Sequence, residues 1–172
     1  MAWALNQQGD VARDQGDSAA ARSLYEQSLI CFRDLHDRWG VAGTLADLGN
    51  LAREQRDYHA ADSLYLESLR EFQQLEHKRG VARLLECFAG SAAAQSEPER
   101  ALRCAGAAAA LRQSIGAPLT SAEQGKLERS LEPARQALTT AAGRTAWLEG
   151  WVMPIEQALK GLLKPASTSG PR

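Results

Sequence analysis

Apolar positions along this chain recur at helical spacing. Val41, Leu45, Leu48 and Ala52 fall at i, i+4, i+7 and i+11, which puts them on one stripe of a helix. Ala61, Tyr65, Ser68, Phe72 and Leu75 make a second stripe, widened by Leu64 and Leu69. No segment keeps the strict apolar/polar alternation of a half-buried strand, and Val and Ile are few. The six prolines, Pro98, Pro118, Pro133, Pro154, Pro165 and Pro171, all lie in the second half. Because a proline inside a helix costs about 3 kcal/mol, the first half is open to long unbroken helices. The pattern predicts an all-α chain.

The stripes repeat. Residues 2–41 laid over residues 42–81 agree at about 18 of 40 positions, the mark of a repeat architecture. Leu5/Leu45, Gly9/Gly49, Ala12/Ala52, Arg13/Arg53 and Asp17/Asp57 are among the matches. Ala21/Ala61, Tyr25/Tyr65, Ser28/Ser68, Phe32/Phe72 and Gly40/Gly80 continue them. A fainter third copy keeps Leu85, Ala92, Gln95 and Ala101 in register. Each unit reads as two helices, with Asp17 and Asp57 placed to cap the second and Glu97-Pro98 in the third copy. One helix pair cannot bury its stripe alone. Stacking of successive pairs predicts a right-handed α-solenoid of about three units, 2–41, 42–81 and 82–116, with a concave and a convex face.

The second unit, Leu45-x-x-Leu48-Gly49-Asn50-x-Ala52 followed by Asp57-Tyr58-x-x-Ala61-x-x-x-Tyr65-x-x-Ser68-Leu69, resembles a tetratricopeptide repeat. In that family small residues sit where helices approach most closely. The resemblance therefore assigns repeat packing to Gly9, Ala21, Tyr25, Leu48, Gly49, Ala61, Tyr65 and Ala101. Gln8 stands where an apolar residue is expected, and in the third copy Ala89 and Ala105 replace the glycine and the tyrosine. The unit is longer than the family's usual length of about 34 residues. Arg38-Trp39-Gly40 and Lys78-Arg79-Gly80 are read as linkers that absorb the difference.

Residues 117–164 are expected to form capping helices. Thr120-x-x-Glu123 has capping-box spacing and starts a helix running at least to Glu132, with Leu127, Leu131 and Ala134 laid over the last repeat. Pro133 predicts a kink or break. A further helix around 141–152 carries Trp147 and Trp151, and Pro154 starts a short last one. Residues 165–172 have no apolar content and are expected to be disordered. Glu97-Pro98-Glu99-Arg100-Ala101, Leu111-Arg112, Ile115-Gly116-Ala117-Pro118-Leu119 and Ala146-Trp147-x-Glu149-Gly150 resemble the C-terminal end of large bacterial regulators. Those proteins pair a signal-transduction ATPase with a DNA-binding (LuxR-type) or cyclase domain and end in tetratricopeptide repeats. The resemblance implies a sensor end of such a protein or a free-standing relative, with an ATPase as partner or parent chain. No Gly-x-x-x-x-Gly-Lys-Ser/Thr phosphate loop is in the sequence.

Composition narrows the function classes. Lys and Arg number 20 against 21 Asp and Glu, a net charge of −1 that argues against nucleic-acid binding. Hydrophobic residues make up 44% of the chain, enough for a core, and no apolar run is long enough for a membrane span. No signal peptide is visible, and Cys31, Cys87 and Cys104 form no Cys-x-x-Cys pair, so reduced thiols in the cytoplasm are expected. His36, His59 and His77 lack metal-ligand spacing, and His36 and His77 are placed in solvent-leaning linkers. Ser28 and Ser68 are read as packing residues, and Asp10 and Asp14 as a solvated face. The expectation is a non-enzyme without cofactor or metal.

The resemblance assigns the concave face to the first helix of each unit. That stripe is Trp3, Asn6, Gln7, Asp10, Arg13 and Asp14, then Gly43, Ala46, Asp47, Asn50, Arg53 and Glu54, then Arg83, Glu86, Cys87 and Gly90. Polar and mixed in sign, it suits a protein or peptide partner, since Asn side chains match the donors and acceptors of a peptide backbone. Some relatives hold a terminal carboxylate in a clamp whose sites here are Asn6, Asp10, Asp47, Arg83 and Cys87. The two aspartates argue against that use. Trp3 and Leu5 begin in mid-pattern, as if a preceding helix were missing, so pairing of two copies through this edge is the alternative.

Overall fold

The structure, a computed structural model, describes residues 1–163; the expected disorder over 165–172 lies outside the described residues. Within them every regular element is a helix. These are α1 (Ala2–Asp14), α2 (Ser18–Asp34), α3 (Arg38–Glu54), α4 (Tyr58–Gln74), α5 (Lys78–Ala94), α6 (Pro98–Ser114), α7 (Ser121–Ala137), α8 (Thr140–Val152) and α9 (Ile155–Leu163). The fold is an all-helical solenoid of tetratricopeptide type.

One turn, used again and again, sets the rhythm. Gly16, His36, Arg56, Glu76 and Ser96 lie twenty residues apart and all take a left-handed backbone, with φ between 52° and 81°. The next residue's N–H returns to a carbonyl five residues back: Asp17 to Ala12, Asp37 to Phe32, Asp57 to Ala52, His77 to Phe72 and Glu97 to Ala92, each at 2.9 Å. This is the Schellman ending, which satisfies the last carbonyls of one helix. The residue that closes it also caps the next helix, except at the fifth turn, where Glu97 does not make the expected side-chain cap and instead accepts from Arg100 while Pro98 opens the helix. Asp17, Asp37 and Asp57 accept the N–H of Ala20, Gly40 and Ala60 at 2.9, 2.9 and 3.0 Å, and His77 Nδ1 accepts that of Gly80 at 3.0 Å. Three residues thus reverse the chain. Arg38-Trp39-Gly40 and Lys78-Arg79-Gly80 are accordingly not linkers but the first turns of α3 and α5. Boundaries at 41/42 and 81/82 cut through those helices, because a repeat read from sequence carries a period but no phase.

Packing follows a glycine–aromatic interlock. A Cβ on Gly9 would lie 2.6 Å from the Tyr25 ring and one on Gly49 2.5 Å from Tyr65. Gly40 and Gly80 give the same room to Phe32 and Phe72, at 2.3 and 2.5 Å. All four aromatics are buried. Ser28 and Ser68 donate to the carbonyls of Ala2 and Ala42 at 2.9 and 2.6 Å, tying α1 to α2 and α3 to α4. The third pair departs consistently. Where ring meets glycine in the first two, buried Ala105 meets buried Ala89, and one substitution removes the need for the other. Arg112, at the register of Phe32 and Phe72, is buried and holds both carboxylate oxygens of Glu86 at 2.5 and 3.0 Å.

The C-terminal helices do not continue the repeat. Thr120 and Glu123 form the reciprocal capping box that starts α7, and the helix runs unbroken through Pro133 to Ala137, without the expected interruption. Losing one backbone bond next to an exposed position is tolerated because Leu131 and Ala134, on either side, are anchored in the core. α7 packs on α5 and α6, whereas α8 lies on α6. There the backbones nearly touch, since Cβ atoms at Gly106 and Gly150 would lie 2.1 Å from the Trp147 carbonyl oxygen and 1.9 Å from that of Arg103.

Candidate functional site

The first helices of the pairs, α1, α3 and α5, share one side of the solenoid, and α7 stands across from them. Between these walls runs a groove with a cavity volume of about 860 Å³. Trp3, Asn6, Asp10, Arg13 and Asp14 line it from α1. From α3 come Gly43, Asp47, Asn50, Arg53 and Glu54, and from α5 Arg83, Glu86 and Cys87. Three positions expected on this face do not line it: Gly90 is buried beneath the Arg53 guanidinium, and the other two lie elsewhere. Gln7 is exposed outside the groove, and Ala46 is fully buried in the same cluster as Ala42 and Val81.

Other lining residues were not legible as such. Trp39 and Arg79 occupy equivalent repeat positions in the first turns of α3 and α5, and reading those turns as linkers hid them. Trp39 bridges an aromatic row along the rim: its ring centroid is 4.9 Å from Trp3 and 6.2 Å from His77, which stacks on Phe72 at 5.3 Å. His77 is therefore a helix cap packed among rings rather than part of a solvated linker. α7 adds Lys126, Leu127, Arg129 and Ser130, and no repeat register in the sequence could have pointed to them.

The polar groups are arranged in pairs repeated between units. Tyr25 donates to Asp10 at 2.7 Å, and Tyr65 donates to Asn50 at 2.9 Å. Burial holds both phenols well above their ordinary pKa, so they act as donors at neutral pH. Asp47 receives Arg83 at 2.5 Å and the Asn6 amide at 3.3 Å. That carboxylate raises the Arg83 pKa, so the guanidinium stays charged under all ordinary conditions. Three of the five clamp sites, Asn6, Asp47 and Arg83, thus engage one another. Cys87 lines the groove, and burial pushes its thiol up against the opposing pull of Arg83 and Arg53. Burial likewise lifts Cys104 to about 11. No group of three or more His, Cys, Asp or Glu side chains with metal-holding geometry is found among the described residues. None of the described helices is long and apolar enough to cross a membrane.

Trp3 faces the groove and rests on Phe32, with centroids 4.7 Å apart. The end of the solenoid is therefore marked less by Trp3 than by Leu5 and Val11. Val11 is 56% exposed, while its repeat equivalent Leu51 is 0% exposed against α2.

No curated protein and no solved structure matches this chain. The family model of the tetratricopeptide repeat matches residues 1–74, the stretch occupied by α1 to α4. Taken with the repeated turn, the glycine–aromatic interlock and the stacked helix pairs, that match supports a tetratricopeptide-repeat protein.

Proposed function

We propose that the protein is a non-catalytic interaction scaffold that binds a peptide, a partner helix or a sister domain in the groove between α1, α3, α5 and α7. Tetratricopeptide repeats generally mediate protein–protein interaction, and solenoids offer extended concave surfaces for it. The observation that carries the reading is the groove itself. It is long and presents half-exposed rings (Trp3 and Trp39) beside amide and guanidinium donors, the mixture that grips a polypeptide rather than a compact metabolite. We place it at the sensor or regulatory end of a bacterial signalling or transcription-regulating system, with an ATPase-containing protein as partner or parent chain. That placement rests on the resemblance of the C-terminal stretch to such regulators.

A peptide array probed with the purified chain tests the reading. Peptides that bind should lose affinity to a Trp39→Ala variant and keep it for Gln27→Ala, which changes only the exposed face of α2. Equal retention by both variants would move the binding surface elsewhere.

Exposed Val11 favours a second reading, in which two copies pair through the α1 end. Among the described residues nothing covers Val11, whereas the equivalent Leu51 is sealed by the preceding helix pair.

A further inference from the structure

We propose that the groove takes an acidic, extended protein segment and that Arg53 receives one of its carboxylates. This deepens the reading of the groove as a polypeptide-binding surface and depends on it. The case begins with a difference between two repeat equivalents. Arg13 has Asp10 one turn back, at 3.6 Å, and is neutralised by it. Arg53 has Asn50 at that position, and Asn50 keeps the hydrogen bond from tyrosine while supplying no charge.

Arg53 consequently makes no ion pair within 4.0 Å among the described residues, and its buried Nε has no hydrogen-bond partner. The half-buried guanidinium thus carries an unpaired charge at the groove, and a ligand carboxylate at its groove-facing edge would supply the acceptors it lacks. Space for the guanidinium comes from the third repeat. A Cβ on Gly90, the equivalent of Asn50, would lie 2.5 Å from Arg53 Nη1 and 3.5 Å from Ser130 Cβ of the facing wall. The planar fork is thus held between α5 and α7 with its donors at the groove.

Charge around it is biased the same way. Among the lining acids, Asp47 and Glu86 are paired with Arg83 and Arg112 and Asp10 lies 3.6 Å from Arg13, while Glu123 is held by Thr120 in the first turn of α7. Lys126, Arg129 and Arg79 line the same groove and make no ion pair within 4.0 Å among the described residues. Asp14 and Glu54 lie exposed at the C-terminal turns of α1 and α3 and set one acidic end. A segment with carboxylates toward α5 and α7 and an apolar side chain toward Trp39 complements this layout. A carboxylate rather than a phosphate is the better match, because the engaged acids of the floor would repel a dianion more strongly.

The test uses the full chain and a fluorescein-labelled Glu-rich peptide with one Trp, together with its Gln-for-Glu counterpart. Asn50→Asp recreates the arrangement of the first repeat: it retains an acceptor for Tyr65 and neutralises Arg53, with helicity checked by circular dichroism. We expect the Glu peptide to bind with salt-sensitive affinity. It should weaken about tenfold or more in Asn50→Asp and Arg53→Gln, the scale of a lost charge-assisted hydrogen bond. Equal binding of the Glu and Gln peptides, or an unaltered Asn50→Asp, would overturn the assignment; if Trp39→Ala still abolished binding, the groove reading would stand. Displacement of the peptide by low inorganic phosphate would also overturn it, as would binding confined to a phosphorylated version. If no peptide from the array or this set binds, the groove reading itself falls.

Discussion

At the scale of single residues, the molecule is organised by compensating pairs. Gly9 with Tyr25 and Gly49 with Tyr65 are one solution to the close approach of two helices; Ala89 with Ala105 is another. A methyl group on one glycine cannot be accommodated while the ring remains. Gly49→Ala should therefore destabilise the chain by about 1–3 kcal/mol, the usual cost of overpacking a tight core, read as a drop in the denaturant midpoint. Combined with Tyr65→Ala, the loss should be smaller than the sum of the two single losses, because removing the ring removes the clash. Arg112 is the opposite case, a charged residue at an aromatic register, buried because Glu86 grips it with two oxygens. Sequence alone showed the glycines and aromatics recurring together. It did not show that they touch, nor that Arg112 takes the place of a ring, since register does not reveal which way a long side chain folds.

At the scale of elements, helix length and helix end are set locally. A left-handed residue every twenty positions ends α1 to α5, and an aspartate starts α2, α3 and α4. Asp17 and Asp57 were readable because N-cap chemistry is local. The left-handed residues were not, because His36, Arg56, Glu76 and Ser96 lack the glycine that usually marks that conformation, and the local bonds of the turn hold them there. The capping box on α7 makes a pH-dependent prediction. Hydrogen bonds from the Thr120 N–H and hydroxyl, both 2.8 Å, lower the Glu123 pKa below its ordinary value. A carboxylate whose folded pKa is depressed stabilises the fold above its unfolded pKa, and that contribution is lost as pH falls through the folded value. Amide exchange in the first turn of α7 should thus accelerate as pH drops below about 4, after correction for intrinsic rates. In Glu123→Gln the extra acid sensitivity should disappear.

At the scale of the whole molecule, stacking order decides what is sealed and what is open. α2 and α4 each receive the following helix pair, and α6 receives α8 through the close backbone approaches at Gly106 and Gly150. The α1 end receives nothing among the described residues, and Val11 stays out in solvent where Leu51 is covered. If two copies pair there, light scattering after size exclusion should show a dimer in the wild type and a monomer for Val11→Asp, with an unchanged melting temperature. Equal mass for both would restrict association to another surface. The groove is likewise a property of the assembly. Its floor comes from three repeats and its far wall from α7, which belongs to none.

The sequence by itself determined the helical class, the repeat, the caps at Asp17, Asp57 and Thr120, and most of the residues along the floor of the groove. Each of these depends on spacing along one helix or on chemistry within one turn, so a period of helical length carries the information. Tertiary structure alone decided the phase of the units, the use of Trp39 and Arg79 as lining residues, the wall supplied by α7, and, among the described residues, the absence of an ion pair within 4.0 Å of Arg53. Those depend on which side chains from distant segments arrive at one place. Packing distances and unpaired charge settle that only once every helix has its neighbours.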